Sequence, residues 1–191
     1  MAATTLDEST IPVIRGRFEG DLLESGDDGY DEARTVFNAM IDRRPRLIVR
    51  CSGAADVVAG ILLARETGLP LAVKGGGHGV NGHAVCDDGI MLDLSPLKRI
   101  DVDPEAQVAR AQAGVTWGEF DAATQAHGLA TTGGRITTTG IAGLTLGAGS
   151  GWLERMYGYT SHNLIGAEMV TAEGQLVRAS DDENADLFWG L

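Results

Sequence analysis

The sequence is poor in cysteine: Cys51 and Cys86 are the only two in 191 residues. Thiols so spaced form neither a C-x-x-C pair nor a disulfide framework, so both are expected as ordinary buried thiols. Proline is also scarce, at 5 residues, and no G-X-Y period accompanies it, which excludes a collagen-like chain. Basic side chains number 15 against 27 acidic ones, for a formal net charge of -12. No basic face can be found, so nucleic acid is not expected as a partner. No apolar run approaches the roughly 18 to 20 residues that span a bilayer. The first 30 residues are acidic, unlike a basic leader followed by an apolar segment. A soluble, cytoplasmic protein without a membrane partner is expected. With 43% hydrophobic and 22% charged residues in 20.0 kDa, there is enough for one domain with a buried core.

The charge is uneven. Residues 1–42 hold 10 acids and 3 bases, and residues 180–191 hold 4 acids and no base, which leaves 13 acids and 12 bases between them. The middle is close to neutral, so an anionic ligand is permitted there. Glycine is in excess: 27 residues, about twice the usual share. Twelve of the 27 fall in two windows, one with Gly75, Gly76, Gly77, Gly79 and Gly82, the other with Gly133, Gly134, Gly140, Gly143, Gly147, Gly149 and Gly151. The excess is two loops, not low complexity.

Residues 1–42 read as an acidic arm and lead-in, extended and without sustained periodicity to about residue 30. From Arg46 the signals become dense. Arg46 to Cys51 is a β-prone run, Ser52 is expected to cap a helix with Asp56 in its first turn, and Gly68 and Pro70 stop that helix before a strand at Leu71 to Lys74. Further strands are predicted over 90–94, 99–102 and 107–113, the last two adjacent and antiparallel around Asp103-Pro104-Glu105. Thr116-Trp117-Gly118-Glu119 is a capping box for a helix ending at Gly128. Beyond the second window one or two helical turns are expected over 152–157, then a strand pair around Glu173-Gly174 and a final helix capped by Ser180 with Glu183. That helix ends in Leu187, Phe188, Trp189 and Leu191 without evident partners, so the chain reads as the amino-terminal piece of something longer.

Gly77-His78-Gly79-Val80-Asn81-Gly82 satisfies G-x-G-x-x-G after a predicted strand. A dinucleotide-binding loop of that kind must open a helix, and Asn81 to Asp88 has no helical period, so a nicotinamide fold is not supported. The underlying physics remains: Gly75 to Gly79 lets consecutive N–H groups turn inward as an anion nest beside Lys74, fit for a pyrophosphate. The plain alternative is a tight strand-to-strand loop without a ligand. The second window can approach a flat ligand by backbone and offer threonine donors, or equally form a glycine-packed turn in a core. His83, five residues after His78, has no metal spacing, and no metal site is expected. His127 precedes the helix-ending Gly128, where contact with the helix end explains it, and His162 beside Asn163 reads as surface loop, the alternative being a place in the lining of the site.

The separated motifs LAVKGGGHG (71–79), MLDLS (91–95), GVTW (114–117), TTGIAGLTLG (138–147), Tyr157-Gly158 and DLFW (186–189) carry a resemblance. Residues 43–191 resemble the PCMH-type FAD-binding domain of the vanillyl-alcohol oxidase superfamily, in its berberine-bridge-enzyme-like branch. The resemblance implies an α+β domain of two subdomains gripping FAD, incomplete at its C-terminal end and without the substrate domain. It places the first glycine loop on the pyrophosphate and the second along the ribityl chain and ring. The cofactor-binding residues it implies are Lys74, Gly75, Gly76, Gly77, His78, Gly79, Gly82, Val115, Gly133, Thr138, Thr139, Gly140, Gly143, Thr145, Leu146, Asn163 and Val170. It implies His78 as the residue bonded to the 8α-methyl of the isoalloxazine, chemistry that suits a neutral imidazole.

Relatives with a second, cysteinyl bond carry that cysteine in the second loop. Arg135 to Thr139 has none, and Ile136 stands near the place, so a single covalent bond is expected. Ala148 stands where relatives often have glycine, which affects local loop geometry. The activity implied is an FAD-dependent oxidase taking hydride from an alcohol, a sugar or an amine, with molecular oxygen as acceptor. No catalytic residue is named, since the family places most of them downstream. The competing expectation is a non-catalytic flavin-binding module or remnant.

Overall fold

A computed structural model describes Leu6 and residues 9–191. Its contacts divide the described residues into two compact units: one holds Leu6 and 9–74 with 79–96 and 169–177, and the other holds 75–78, 97–168 and 178–191.

The first unit is built on a four-stranded sheet. In chain order its elements are α1 (Ile11–Arg15), β1 (Asp21–Leu23), α2 (Tyr30–Arg34), β2 (Leu47–Arg50), α3 (Ala54–Thr67), β3 (Leu71–Lys74) and β4 (Ile90–Asp93). The strand order is β1-β2-β4-β3, with β2 and β3 parallel to β4 and β1 antiparallel to β2. Leu47, Val49, Ile90 and Leu92 join one buried cluster with Leu63 and Ala64 of α3, while Ile48, Met91 and Ala72 join another with Tyr30, Ala33 and Val85. Both faces of the central strands are covered, which is why Leu-Ile-Val and Ile-Met-Leu run apolar without alternation. Gly60 lets α3 come close to the sheet, since a Cβ there would overlap Leu92.

Residues 9–30, expected to be an extended arm, instead carry α1 and β1. Leu6, Ile11, Ile14, Leu22 and Tyr30 are buried, each contributing about 1.5 to 3 kcal/mol of transfer free energy as an upper figure. The polar tie is Asp56, whose Oδ1 accepts from Glu19 N at 2.8 Å and whose Oδ2 accepts from Gly20 N at 3.0 Å. Short-range periodicity does not reveal this, because the partners lie 36 and 37 residues away. The expectation for residues 1–5, 7 and 8 lies outside the described residues. Ser52 does not cap α3 as expected. Gly53 takes the N-cap position, and Ser52 donates its N–H and hydroxyl to Asp56 Oδ2 at 2.7 and 2.8 Å.

The second unit begins with the hairpin β5 (Ile100–Asp103) and β6 (Val108–Ala111), antiparallel as predicted, with Asp103 Oδ1 accepting from Glu105 N and Ala106 N in the turn. α4 (Trp117–Gln125) carries the expected capping box of Thr116 and Glu119. α5 (Ile141–Leu146), α6 (Glu154–Tyr157) and a 3-10 turn over Thr160–Asn163 follow. Its core is Val115, Trp117 and Phe120 with Ile141 and Leu144 against them.

β7 (Ala167–Val170) and β8 (Leu176–Ala179) pair, and the tip of their ribbon belongs to the first unit, where Arg65 Nη1 donates to Ala172 O at 2.7 Å. α7 (Ala185–Trp189) starts later than expected, with Asn184 at its N-cap in a left-handed conformation. Ser180 does not cap it: Ser180 N donates to Glu183 O at 2.7 Å, so the two close a turn ahead of the helix. Cys51 is buried and its thiol is pushed up to about 12 by burial, then by Asp56 and Asp93, whereas Cys86 is only half-buried. Among the described residues no helix is long and apolar enough to cross a membrane.

Candidate functional site

Gly75 to His78 leave the end of β3 and belong to the second unit, where they meet the second glycine window. Gly76 and Gly140 are apposed backbone to backbone. A Cβ on either would overlap the amide of the other, and a Cβ on Gly75 would lie 2.9 Å from Ala113 O. Gly77 sits at φ +68°, a conformation that favours glycine. The facing segment is pinned by three backbone bonds of 2.9 Å, from Trp117 N to Thr139 O, Gly118 N to Thr137 O and Ile141 N to Val115 O.

This apposition sets His78 between two hydroxyls. Its Nε2 lies 2.9 Å from Thr138 Oγ1 and its Nδ1 3.4 Å from Thr139 Oγ1. Burial lowers the imidazole pKa below its ordinary value, so the ring is neutral at pH 7. Among the described residues, the N–H groups of Gly75, Gly76 and Gly77 donate to no protein acceptor. A neutral imidazole, two hydroxyls and free consecutive amides on glycine backbone form a donor set fit for a phosphorylated, flat cofactor.

Both readings of the second window find residues. Gly133 and Gly134 lie against the Trp117 ring, Gly149 against Thr160 and Gly151 against Gly133, so these four are glycines of close packing. Gly143 has nothing within 4 Å of the place a Cβ would take. Its freedom from side-chain bulk is not required by the protein itself.

The other residues of the expected site are distributed. Val115 is fully buried in the core, and Thr145 spends its hydroxyl on Ile141 O at 2.7 Å inside α5. Leu146 is exposed. Asn163 Nδ2 donates to Tyr157 O at 3.1 Å and Tyr159 O at 2.9 Å, holding that loop. Lys74, Gly79, Gly82 and Val170 belong to the first unit. Lys74 Nζ donates to Ala33 O at 2.6 Å, and desolvation pushes its pKa down against the pull of Asp93. Gly82, at φ +72°, packs on Ile41, while Gly79 is exposed and Val170 half-buried. His83, His127 and His162 are exposed, the last with its ring against Tyr159. Among the described residues no group of His, Cys, Asp and Glu is arranged to hold a metal ion.

Two features escape a reading of the sequence. α5 lies inside what reads as loop, because its six residues are too few to show a period. Trp117 is 1% exposed with its Nε1 unpaired, under the two glycines that open the second window. The capping box places Trp117 on the first turn but gives no sign of that burial. Ala148, marked in the sequence as standing where relatives often have glycine, adopts φ +72°, the conformation for which glycine is the ordinary residue.

A family model described as FAD binding domain matches residues 45–180. The chain belongs to this FAD-binding domain family. Its curated relatives include (R)-6-hydroxynicotine oxidase of Paenarthrobacter nicotinovorans, 37% identical over 91% of this chain and 38% of the relative. FAD-linked oxidoreductase pgmH of Aspergillus terreus is 36% identical over 98% of this chain and 39% of its own length. Among solved structures, 6-hydroxy-D-nicotine oxidase from Arthrobacter nicotinovorans superposes with a TM-score of 0.89 at 37% identity, covering 91% of this chain and 38% of that one. BBE-like 1 of Physcomitrella patens superposes with 0.89 at 26%, covering 95% and 40%. The α+β fold is therefore that of the PCMH-type, berberine-bridge-enzyme-like domain, and the chain spans about two-fifths of the length of the relatives it matches.

Proposed function

We propose that this FAD-binding domain carries its flavin on His78 and serves an oxidase that takes hydride from a small organic substrate and passes the electrons to molecular oxygen. The observation that supports it is the His78 ring held between Thr138 and Thr139 on apposed glycine backbone. The neutral imidazole has a lone pair for bond formation, and the amides of Gly75 to Gly77 suit the phosphates. FAD, when bound, supplies the hydride acceptor; the chain's own residues bind and orient it and exclude bulk from its face, Gly143 by lacking a side chain. Ile136 and its neighbours from Arg135 to Thr139 include no thiol, so the attachment is single. The substrate is an alcohol, a sugar or an amine: relatives are named as a hydroxynicotine oxidase and a chitooligosaccharide oxidase.

The test is chemical. The 191-residue chain is expressed, saturated with FAD, precipitated in acid and examined for fluorescence on the polypeptide. Flavin retained by the wild type and released by His78→Ala is the expected outcome; release by both sinks the covalent attachment. A second reading, a flavin-binding module without catalysis, is supported by the same apposed glycine backbone and free amides, which bind a cofactor without requiring turnover. Hydrogen peroxide release from alcohols, sugars or amines by this chain counts against it.

A further inference from the structure

The two hydroxyls beside His78 are not equivalent. Thr138 Oγ1 stands at full hydrogen-bond distance from Nε2, 2.9 Å, whereas Thr139 Oγ1 is 3.4 Å from Nδ1, beyond the usual range for an O–H donor. Thr138 is also set in place by its neighbours, since Gly118 N to Thr137 O and Trp117 N to Thr139 O, both 2.9 Å, fix the backbone on either side. The Gly76–Gly140 apposition fixes the other partner, because it holds the loop that ends in His78.

We propose that Thr138 is a positioning residue for His78: its oxygen accepts the Nε2 proton's hydrogen bond, which fixes the ring plane and tautomer and leaves Nδ1 as the nitrogen presented to the cofactor. A hydroxyl can donate or accept, so a lone threonine would not choose a tautomer. The attachment does: Nε2 is the nitrogen engaged at 2.9 Å, and a lone pair on Nδ1 for the new bond requires the proton on Nε2. The inference rests on flavin attachment at His78. In that step a C–H bond of the flavin 8α-methyl is replaced by a C–N bond to Nδ1. The methyl proton and the Nε2 proton leave, two electrons pass to the flavin ring, and molecular oxygen takes them up to give hydrogen peroxide. The Nε2 proton departs to solvent, and until then Thr138 Oγ1 is the hydrogen-bond acceptor it faces.

Thr138→Val and Thr138→Ser test this, with covalent incorporation followed over time at saturating FAD, so that a change of affinity does not enter. Thr138→Val is expected to incorporate flavin about tenfold more slowly, the order of effect of one lost hydrogen bond, and Thr138→Ser to restore the rate. A wild-type rate in Thr138→Val, or no rescue by serine, overturns the proposal. If the wild type retains no covalent flavin, the attachment fails on its own, and nitrogen-15 spectra of His78 in the same three proteins decide the positioning. A proton on Nε2 in wild type and Thr138→Ser, redistributed in Thr138→Val, supports it; identical spectra in all three overturn it.

Discussion

Glycines in the two windows serve different ends, and single substitutions separate them. At Gly76 a Cβ would overlap the Gly140 amide, and backbone has nowhere to go. Gly76→Ala is expected to lose more than about 3 kcal/mol or fail to fold, by analogy with overpacking at its upper end. At Gly143 a Cβ meets nothing, and the residue lies inside α5, where alanine is favoured over glycine by about 0.5 to 1 kcal/mol. Gly143→Ala should therefore melt higher than the wild type in a thermal scan yet bind FAD more weakly by fluorescence titration. A variant that gains stability and keeps full affinity would remove Gly143 from the cofactor surface.

At the scale of elements, the carboxylate of Asp56 joins the start of α3 to the segment before β1. Burial raises its pKa, but hydrogen bonds from Ser52, Glu19 and Gly20 outweigh that and leave it below the ordinary carboxylate value. The folded state thus binds this proton less readily than the unfolded chain. The contribution is complete above the unfolded value near 3.9 and is lost as pH falls through the lowered folded value. Asp56→Ala is expected to cost about 2 to 3 kcal/mol in urea unfolding at pH 7 and to raise hydrogen exchange selectively at Glu19, Gly20 and β1. The gap to wild type should narrow as the pH is brought below 4. An unchanged exchange pattern would show that buried Leu22 and Ile14 hold the segment without it.

Over the whole molecule, apolar exposure and burial divide the three tryptophans. Trp152 is 80% and Trp189 90% exposed, while Trp117 is 1% exposed. Acrylamide is expected to quench two-thirds of the native emission readily and to spare a blue-shifted remainder, and Trp117→Phe should abolish that remainder. Much of this molecule was legible in the residues themselves. The βα unit at 47–74, the β5–β6 hairpin and the Thr116–Glu119 box follow from apolar runs, turn chemistry and capping residues, all of which act within a few positions. The same local chemistry misplaced the caps at Ser52 and Ser180, because each serine found a nearer or stronger partner once the chain had folded. The site divides in the same way. Sequence by itself determined that the glycine excess lies in two loops, the first beside Lys74 and His78, since backbone freedom is a property of the residue; the dinucleotide came from the family resemblance of the separated motifs. Only the tertiary structure decided that Thr138 lies 2.9 Å from His78, that Gly76 meets Gly140, and that residues 19 and 20 hang on Asp56. These contacts join positions 36 to 64 residues apart, and no periodicity or spacing encodes which of many such pairs the packed core brings together.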